Sequence, residues 1–373
     1  MTWDYLERHL VTLTTIGPVS IASGRELSKK EYILDRKRQE AVILDERKLF
    51  SYLKRRGLLE SFERYMLGGR GDLFHWAREE RVYPEDAGQI EKYRLDCSAI
   101  TEINTVKNMM TFMKDAYGLP YVPGSSIKGA LRNVILARMI EEEPDRELAE
   151  TIRNTVSDRS IRGGKQLLRR ESRDLEAGYL YTLDRLPDRP RSVLNDRMAG
   201  VRVADSPALS TDCLTLCQKI DEDTGAACRP LPIVRECLKP GTVIRAVLTL
   251  DRSLTDLSIE SIREAIRSFN ERYNREYLSR FPAQTGYDGD VIYLGGGAGF
   301  HSKTVTSALF TPEESLAVTA EILDRTLPPR MQREHKHYRD VEIGASPHVT
   351  KVTQYAREYY PFGPCRIEFE PMP

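Results

Sequence analysis

Residues 121–140 read YVPGSSIKGALRNVILARMI. Pro123-Gly124 makes a turn, a serine at 125 or 126 is placed to cap, and Ile127, Ala130, Leu131, Val134 and Ile135 recur at three- and four-residue steps until Pro144 forbids continuation. The stretch predicts a helix with one buried face. Upstream, LERHLVTLTTI at 6–16 alternates apolar and polar residues and breaks at Gly17-Pro18, the pattern of a half-buried strand. Downstream, AGVRVAD at 199–205, TVIRAVLTL at 242–250, VIYL at 291–294 and CRIEFE at 365–370 read as further strands. Ser258 is placed to cap a second helix carrying Ile259, Ile262, Ala265, Ile266, Phe269, Tyr273 and Tyr277 on one side.

Between these elements the chain makes excursions. Asp45 is the expected cap of a helical insertion in which Leu49, Phe50 and Leu53 share a face, and Leu58, Leu59, Phe62, Tyr65 and Met66 continue it to Gly68-Gly69. Residues 153–173 are basic with a Gly163-Gly164 break, and 184–196 are charged and interrupted by proline; both read as surface excursions. The order of strands and helices outlines split βαβ units of the ferredoxin-like kind, an α+β architecture. A boundary is expected at the Pro240-Gly241 break, giving units 1–238, with insertions near 40–115 and 145–195, and 239–373.

The 373 residues allow two to three compact units, and 40% hydrophobic residues suffice for a core. Fifty-six basic and 56 acidic side chains give a formal net charge of zero, so the whole-chain field steers toward neither nucleic acid nor membrane, and any anion site must be local. No apolar run is long enough for a membrane span and the first residues lack the pattern of a signal peptide, which predicts a soluble, cytoplasmic protein. The 6 cysteines are irregularly spaced, as in a protein with reduced thiols.

Two motifs suit a phosphate. In the capped helix, Lys128 and Arg132 lie four residues apart beside first-turn amides at Ser125 and Ser126, where the helix dipole favours an anion; a solvated helix face is the alternative. Gly129 inside that helix is consistent with close approach of another backbone or a ligand. In LGGGAGFHSKT, Gly295, Gly296, Gly297 and Gly299 follow a strand directly, so unhindered amides could line an anion-binding concavity, with His301 and Lys303 in reach; a structural glycine turn is the alternative. The spacing misses the nucleotide-hydrolase phosphate loop, because Ser302 precedes Lys303 where glycine is required.

Other features carry less. Arg25, Lys29, Lys30, Arg36, Lys37 and Arg38 interleave with Tyr32 as a single-strand track or a charged loop. His9, Glu26, Glu31, Asp35 and His301 are the candidates for acid–base RNA cleavage. Cys213, Cys217, Cys228 and Cys237 lack the usual knuckle spacing of a structural zinc site and read as ordinary buried thiols, with a zinc site the alternative. His335 and His337 fall in RMQREHKHYRD, read as a flexible charged loop.

Several segments together resemble one family. GPVSIASGRELSKKEYILD, FMKDAYGLPYVPGSSIKGALRNVIL, VRVADS, LGGGAGFHSKT and SPHVTKVT…GPCRIEFE are similar, in that order and nearly end to end, to the fifth subunits of type III-A CRISPR (Csm) effector complexes, within the RAMP superfamily. The resemblance implies tandem ferredoxin-like, RRM-related RAMP units with helical insertions. It implies a non-catalytic subunit that binds guide RNA (crRNA), caps the 3′ end of guide and backbone filament, contacts neighbouring Csm RAMP subunits, and assists maturation with host nucleases that trim the 3′ end. Carried over residue by residue, it implies RNA-backbone contacts at Lys128 and Arg132 and a RAMP glycine loop of Gly295, Gly296, Gly297 and Gly299 with Lys303; with the motif readings above, Ser125, Ser126, His301, Lys29 and Lys30 complete the expected RNA contacts, and no cofactor, metal or membrane is expected. Target-cleaving relatives carry an aspartate in the loop after the first strand, and none lies between Gly17 and Tyr32. A RAMP-type endoribonuclease using His301 or an acidic residue of 26–35, and a nucleotide-binding enzyme using 294–304, are the alternatives.

Overall fold

A computed structural model of the chain describes residues 5–68, 71–100, 106, 108–282, 284 and 286–373. The strands, in chain order, are β1 (Leu6–Thr15), β2 (Ala22–Ser28), β3 (Tyr32–Asp35), β4 (Glu40–Leu44), β5 (Glu91–Asp96), β6 (Asn108–Phe112) and β7 (Val201–Val203). They continue with β8 (Leu214–Asp223), β9 (Cys228–Leu238), β10 (Val243–Asp251), β11 (Val291–Tyr293), β12 (Val349–Tyr355), β13 (Glu358–Pro361) and β14 (Pro364–Pro371). Helices α1 (Glu46–Arg56), α2 (Leu59–Leu67), α3 (Leu73–Glu79) and α4 (Ala87–Ile90) lie between β4 and β5, and α5 (Gly124–Glu142), α6 (Arg146–Ser157) and α7 (Arg169–Leu180) between β6 and β7. Helix α8 (Ile259–Glu276) follows β10; α9 (Thr306–Leu309), α10 (Pro312–Thr326), α11 (Pro329–His335) and α12 (Asp340–Ile343) follow β11.

The quoted helix is α5, and Ile127, Leu131, Val134 and Ile135 are buried as their spacing requires. It packs against α8 and β7. The five-stranded sheet has the order β11-β14-β1-β10-β7, and every pairing in it is antiparallel. Traced along the chain, β1-α5-β7-β10-α8-β14 is the βαββαβ order of a ferredoxin-like unit, with β11 added at the edge. Val11 and Leu13, buried on alternate positions of β1, anchor its inner face. The architecture is α+β, with ferredoxin-like organisation.

The second sheet has nine strands, in the order β2-β6-β9-β8-β5-β4-β3, with β12 paired to the far end of β8 and β13 to β12. The two sheets are interleaved in sequence. β1 sits between β10 and β14, so the division expected at 238/239 runs through the first sheet instead of between two successive units.

Three local expectations are corrected. The helix entered at Asp45, whose carboxylate does accept the amides of Arg47 and Lys48, ends at Gly57 in the left-handed region (φ 68°), and α2 starts afresh after it. The end expected at Gly68-Gly69 lies partly outside the described residues. In α1 the buried face is Leu49, Tyr52 and Leu53, whereas Phe50 is exposed; with Trp76 and Val82 these form a separate core under α1–α4. The stretch 153–173 is not all excursion, since it ends α6 and begins α7.

Candidate nucleic-acid interface

The glycine-rich loop is built where three segments cross. The Gly296 amide donates to the Ser20 carbonyl (2.7 Å), the Leu294 amide to Gly363 (2.8 Å), and the Gly363 amide to Pro18 (3.0 Å). A Cβ on Gly295 would stand 2.1 Å from the Ser20 oxygen, and one on Gly363 2.4 Å from the Leu294 oxygen, so only glycine allows this approach. Gly295, Gly297 and Gly299 have φ of 72°, 93° and 92°, and Ser302, buried, ties the turn by donating to the Ala298 carbonyl (2.8 Å). Among the described residues the amides of Gly297, Ala298 and Gly299 donate to no protein acceptor. Successive free amides with alternating positive φ form an anion-binding concavity.

A cation of the second sheet, Arg235, faces this concavity, and its charge reaches Lys219 on β8 and Lys303 in the turn after the loop. Arg235 on β9 is only 8% exposed and, among the described residues, has no carboxylate partner; its guanidinium lies over the Phe362 ring (5.4 Å), and a Cβ on Gly297 would meet its Nη1 at 3.0 Å. Lys219, half-buried on β8, makes no hydrogen bond or ion pair among the described residues, and burial with the nearby charges of Lys351 and Arg235 pushes its ammonium down to about 8 despite Asp221. Lys303 is exposed; burial of its stem and the Arg235 charge lower its pKa. An anion in the concavity would offset the Arg235 charge that lowers Lys219 and Lys303.

The sequence expectations fare unevenly against this geometry. Gly295, Gly296, Gly297, Gly299 and Lys303 converge there. His301 does not: it is buried, its Nε2 donates to the Ser346 carbonyl (2.6 Å), its ring packs on Tyr277, and burial pulls it down to about 4. Contact with RNA and acid–base work by His301 are both corrected, because its proton-bearing nitrogen is held inside.

The start of α5 also departs from expectation. Pro123 is the N-cap, neither Ser125 nor Ser126 caps with its side chain, and the Gly124 amide donates to Asp205 (2.7 Å), so the protein's own carboxylate takes the anion position. Lys128 donates to the Met198 carbonyl (2.7 Å), and Arg132 to Asp196 (2.5 Å) and Glu176 (2.7 Å). Both cations clamp the 196–198 segment. Ser125 and Gly129 are exposed, and a Cβ on Gly129 would meet no atom within 4 Å, so no protein backbone accounts for that glycine.

In the basic stretch, Arg25 pairs with Glu31 and Glu46, Arg36 with Asp72 and Arg38 with Asp35, while Lys30 donates to the Met66 carbonyl. Tyr32 is buried and offers no base a stacking face. Lys29 and Lys37 remain exposed and unpaired. Asp35 accepts the amides of Lys37 and Arg38 and the Tyr83 hydroxyl, and Glu31 accepts the Ser28 amide; both build the β2–β4 turns.

The four cysteines do not gather. Cys217 and Cys237 pack with Phe362, whereas Cys228 lies opposite Glu222, five residues along β8 and so roughly 16 Å away at the rise of a strand. Arg235 and Lys219 escaped sequence reading because no local pattern separates them from other basic residues; the bulge between Gln218 and Ile220 also hides the strand period. His337, taken with its loop as flexible, is buried, hydrogen-bonded to Asp340. Among the described residues no helix is long and apolar enough to cross a membrane.

Comparison with known proteins gives a consistent picture. The RAMP superfamily profile matches residues 12–300. A protein named CRISPR system Cms protein Csm5 from Mycobacterium tuberculosis (strain CDC 1551 / Oshkosh) is 30% identical, covering 97% of this chain and 98% of its own length. The protein of the same name from Enterococcus italicus is 24% identical, over 97% of each chain. Among solved structures, a chain of a Csm-crRNA-target RNA ternary complex of a type III-A CRISPR-Cas system superposes with TM-score 0.65 at 18% identity, over 97% of this chain and 100% of that one. The crystal structure of T. onnurineus Csm5 gives TM-score 0.58 at 18% identity, over 95% and 99%.

Proposed function

This chain belongs to the RAMP superfamily and, within it, to the Csm5 family of CRISPR proteins, and from that premise we propose that it is a non-catalytic subunit of a type III-A effector complex that grips crRNA. In this reading it caps the 3′ end of the guide and of the backbone filament, contacts a neighbouring Csm RAMP subunit, and assists maturation while host nucleases trim the guide. The observation that carries it is the concavity of Gly297–Gly299, whose free amides lie beside the buried Arg235, a cation whose charge also reaches Lys219 and Lys303. Such a site holds backbone phosphate without reading base sequence. Exposed Lys29 and Lys37, flanking β3, are candidates for separate phosphate contacts, and Lys128 and Arg132 fix the 196–198 segment.

Three of the five candidate acids and bases, His301, Asp35 and Glu31, are committed to internal hydrogen bonds, which supports a non-catalytic role. Gentle purification of the tagged protein from its native host, with sequencing of the bound RNA, tests the reading. Short repeat-spacer guides with companion RAMP subunits are expected, and removing the protein should leave guides with longer 3′ ends. An intact protein purified alone and free of RNA would overturn it.

A further inference from the structure

The segment between α11 and β12 has little regular structure of its own. It comprises a left-handed Lys336, a single 3-10 turn at His337–Arg339, the four-residue α12, and Gly344 in the left-handed region. At its centre Asp340 is fully buried (0% exposed). Its Oδ2 is 2.9 Å from His337 Nδ1 and its Oδ1 2.6 Å from His348 Nδ1, and these imidazoles are its only ion-pair partners within the described residues. His337 is itself buried and His348 half-buried. One ligand atom from each of the three lies within 4.8 Å of the others. His335 stands alongside, its ring stacked on His337 at 5.6 Å.

We propose that His337, Asp340 and His348 form a site for a borderline divalent transition ion, with Zn²⁺ the best fit, and that the ion fastens the 335–348 segment to the start of β12. Two imidazole nitrogens and one carboxylate oxygen are the donors such ions select, whereas Mg²⁺ and Ca²⁺ prefer all-oxygen sets. With bonds of about 2.0–2.2 Å in a tetrahedron, donor atoms sit roughly 3.3 Å apart, so the two nitrogen–oxygen distances of 2.9 and 2.6 Å need open by less than an ångström, and all three donors already lie within 4.8 Å of one another. A divalent ion would also place a fixed positive charge beside the fully buried Asp340 carboxylate. The Nδ1 protons of the two imidazoles move to Nε2, any excess proton leaves to solvent, and water or His335 completes the shell.

The site differs from the glycine-loop concavity and does not depend on its role. The test uses the full-length chain with a purification tag free of histidine, stripped with a chelator and dialysed against Zn²⁺ or Co²⁺. One equivalent of metal per chain is expected, together with a raised melting temperature and a tetrahedral Co²⁺ absorption band. Asp340→Asn and His337→Ala should lose all three. His348→Gln keeps a hydrogen-bond donor toward Asp340 but is a poor ligand, so it should lose the metal while remaining folded. Wild-type chain that retains no metal and melts alike with and without Zn²⁺ would overturn the proposal, as would metal retained undiminished in His348→Gln.

Discussion

Arg235 lies over the face of Phe362 with its guanidinium carbon 5.4 Å from the ring centroid, and no carboxylate neutralises it. The aromatic face offsets part of the cost of holding a cation at 8% exposure, and the rest of the charge is directed at the glycine loop. The pair joins β9 to the turn between β13 and β14, so the cation is positioned by strands from both halves of the chain.

Removing that charge should weaken RNA association through the phosphate term. Arg235→Gln and Lys303→Ala are each expected to flatten the dependence of log affinity on log salt by about 0.7, the value for one lost contact on a single strand. Lys128→Ala, whose ammonium is spent on the Met198 carbonyl, should leave the slope alone. Fluorescence anisotropy against single-stranded RNA over a salt series measures all three; an unchanged slope in Arg235→Gln would remove Arg235 from the contact.

The glycine loop separates steric from conformational cost. At Gly297 a Cβ would lie 3.0 Å from both Arg235 Nη1 and Phe362 Cγ, whereas at Gly299 it would meet nothing, although both have φ near 92°. Gly299→Ala should therefore cost on the order of 1–2 kcal/mol, from the left-handed backbone alone. Gly297→Ala adds displacement of Arg235 and should lose RNA affinity as well as stability. Urea unfolding beside binding distinguishes the two.

Lys219 gives a pH signature. Its ordinary value of 10.5 is lowered to about 8 in the free protein, and a phosphate in the concavity would raise it again. Below pH 8 the free and bound forms are both charged and affinity should be flat. Above pH 8 the free form loses its proton, binding must take one up, and affinity should fall by up to tenfold per pH unit, an effect absent in Lys219→Met. In the free protein the sign is the reverse for folding: stability rises between pH 8 and 10.5, because the folded state prefers neutral Lys219.

His301 contributes on the acid side. Burial lowers it from 6.5 to about 4 against the pull of the Ser346 carbonyl, so the unfolded chain binds its proton first as pH falls. Its contribution is present above pH 6.5 and drains away down to pH 4, on the order of 3 kcal/mol in total. The unfolding midpoint in urea should drop between pH 7 and 5 less steeply in His301→Asn than in wild type.

A buried ion pair holds β6 to β9. Glu236 is fully buried and accepts from Lys114, the Phe112 amide (2.7 Å) and the Tyr93 hydroxyl (2.6 Å). Lys114→Met strands that carboxylate and should destabilise the chain by about 3–5 kcal/mol. Changing Glu236→Gln as well should recover part of the loss, seen as a coupling energy in thermal unfolding.

Much of the first sheet was legible in the sequence. β1, β10, β14, α5 and α8 each carry their period in their own residues, since one face meets the core and the other meets solvent. The second sheet was less so: β8 is buried along almost its whole length and includes Gln218, Asp221 and Glu222, whose partners come from other strands and loops, so no alternation marks it. For the site, the sequence marked the glycines and Lys303, because a turn with φ above zero is a local requirement.

Which cations face that turn was decided only in three dimensions. Lys128 and Arg132 have the spacing of a phosphate grip, yet the fold brings Asp205 to the helix start and Asp196 and Glu176 to Arg132, and a carboxylate already in place fills the role. Arg235 lacks any such spacing but ends beside the loop, and among the described residues no carboxylate pairs with it. His337, Asp340 and His348 become one cluster because short helices and left-handed turns fold the 335–348 segment onto itself. Local periodicity and backbone conformation are written in neighbouring residues, whereas the neutralisation of a charge depends on what the chain carries to it from far away.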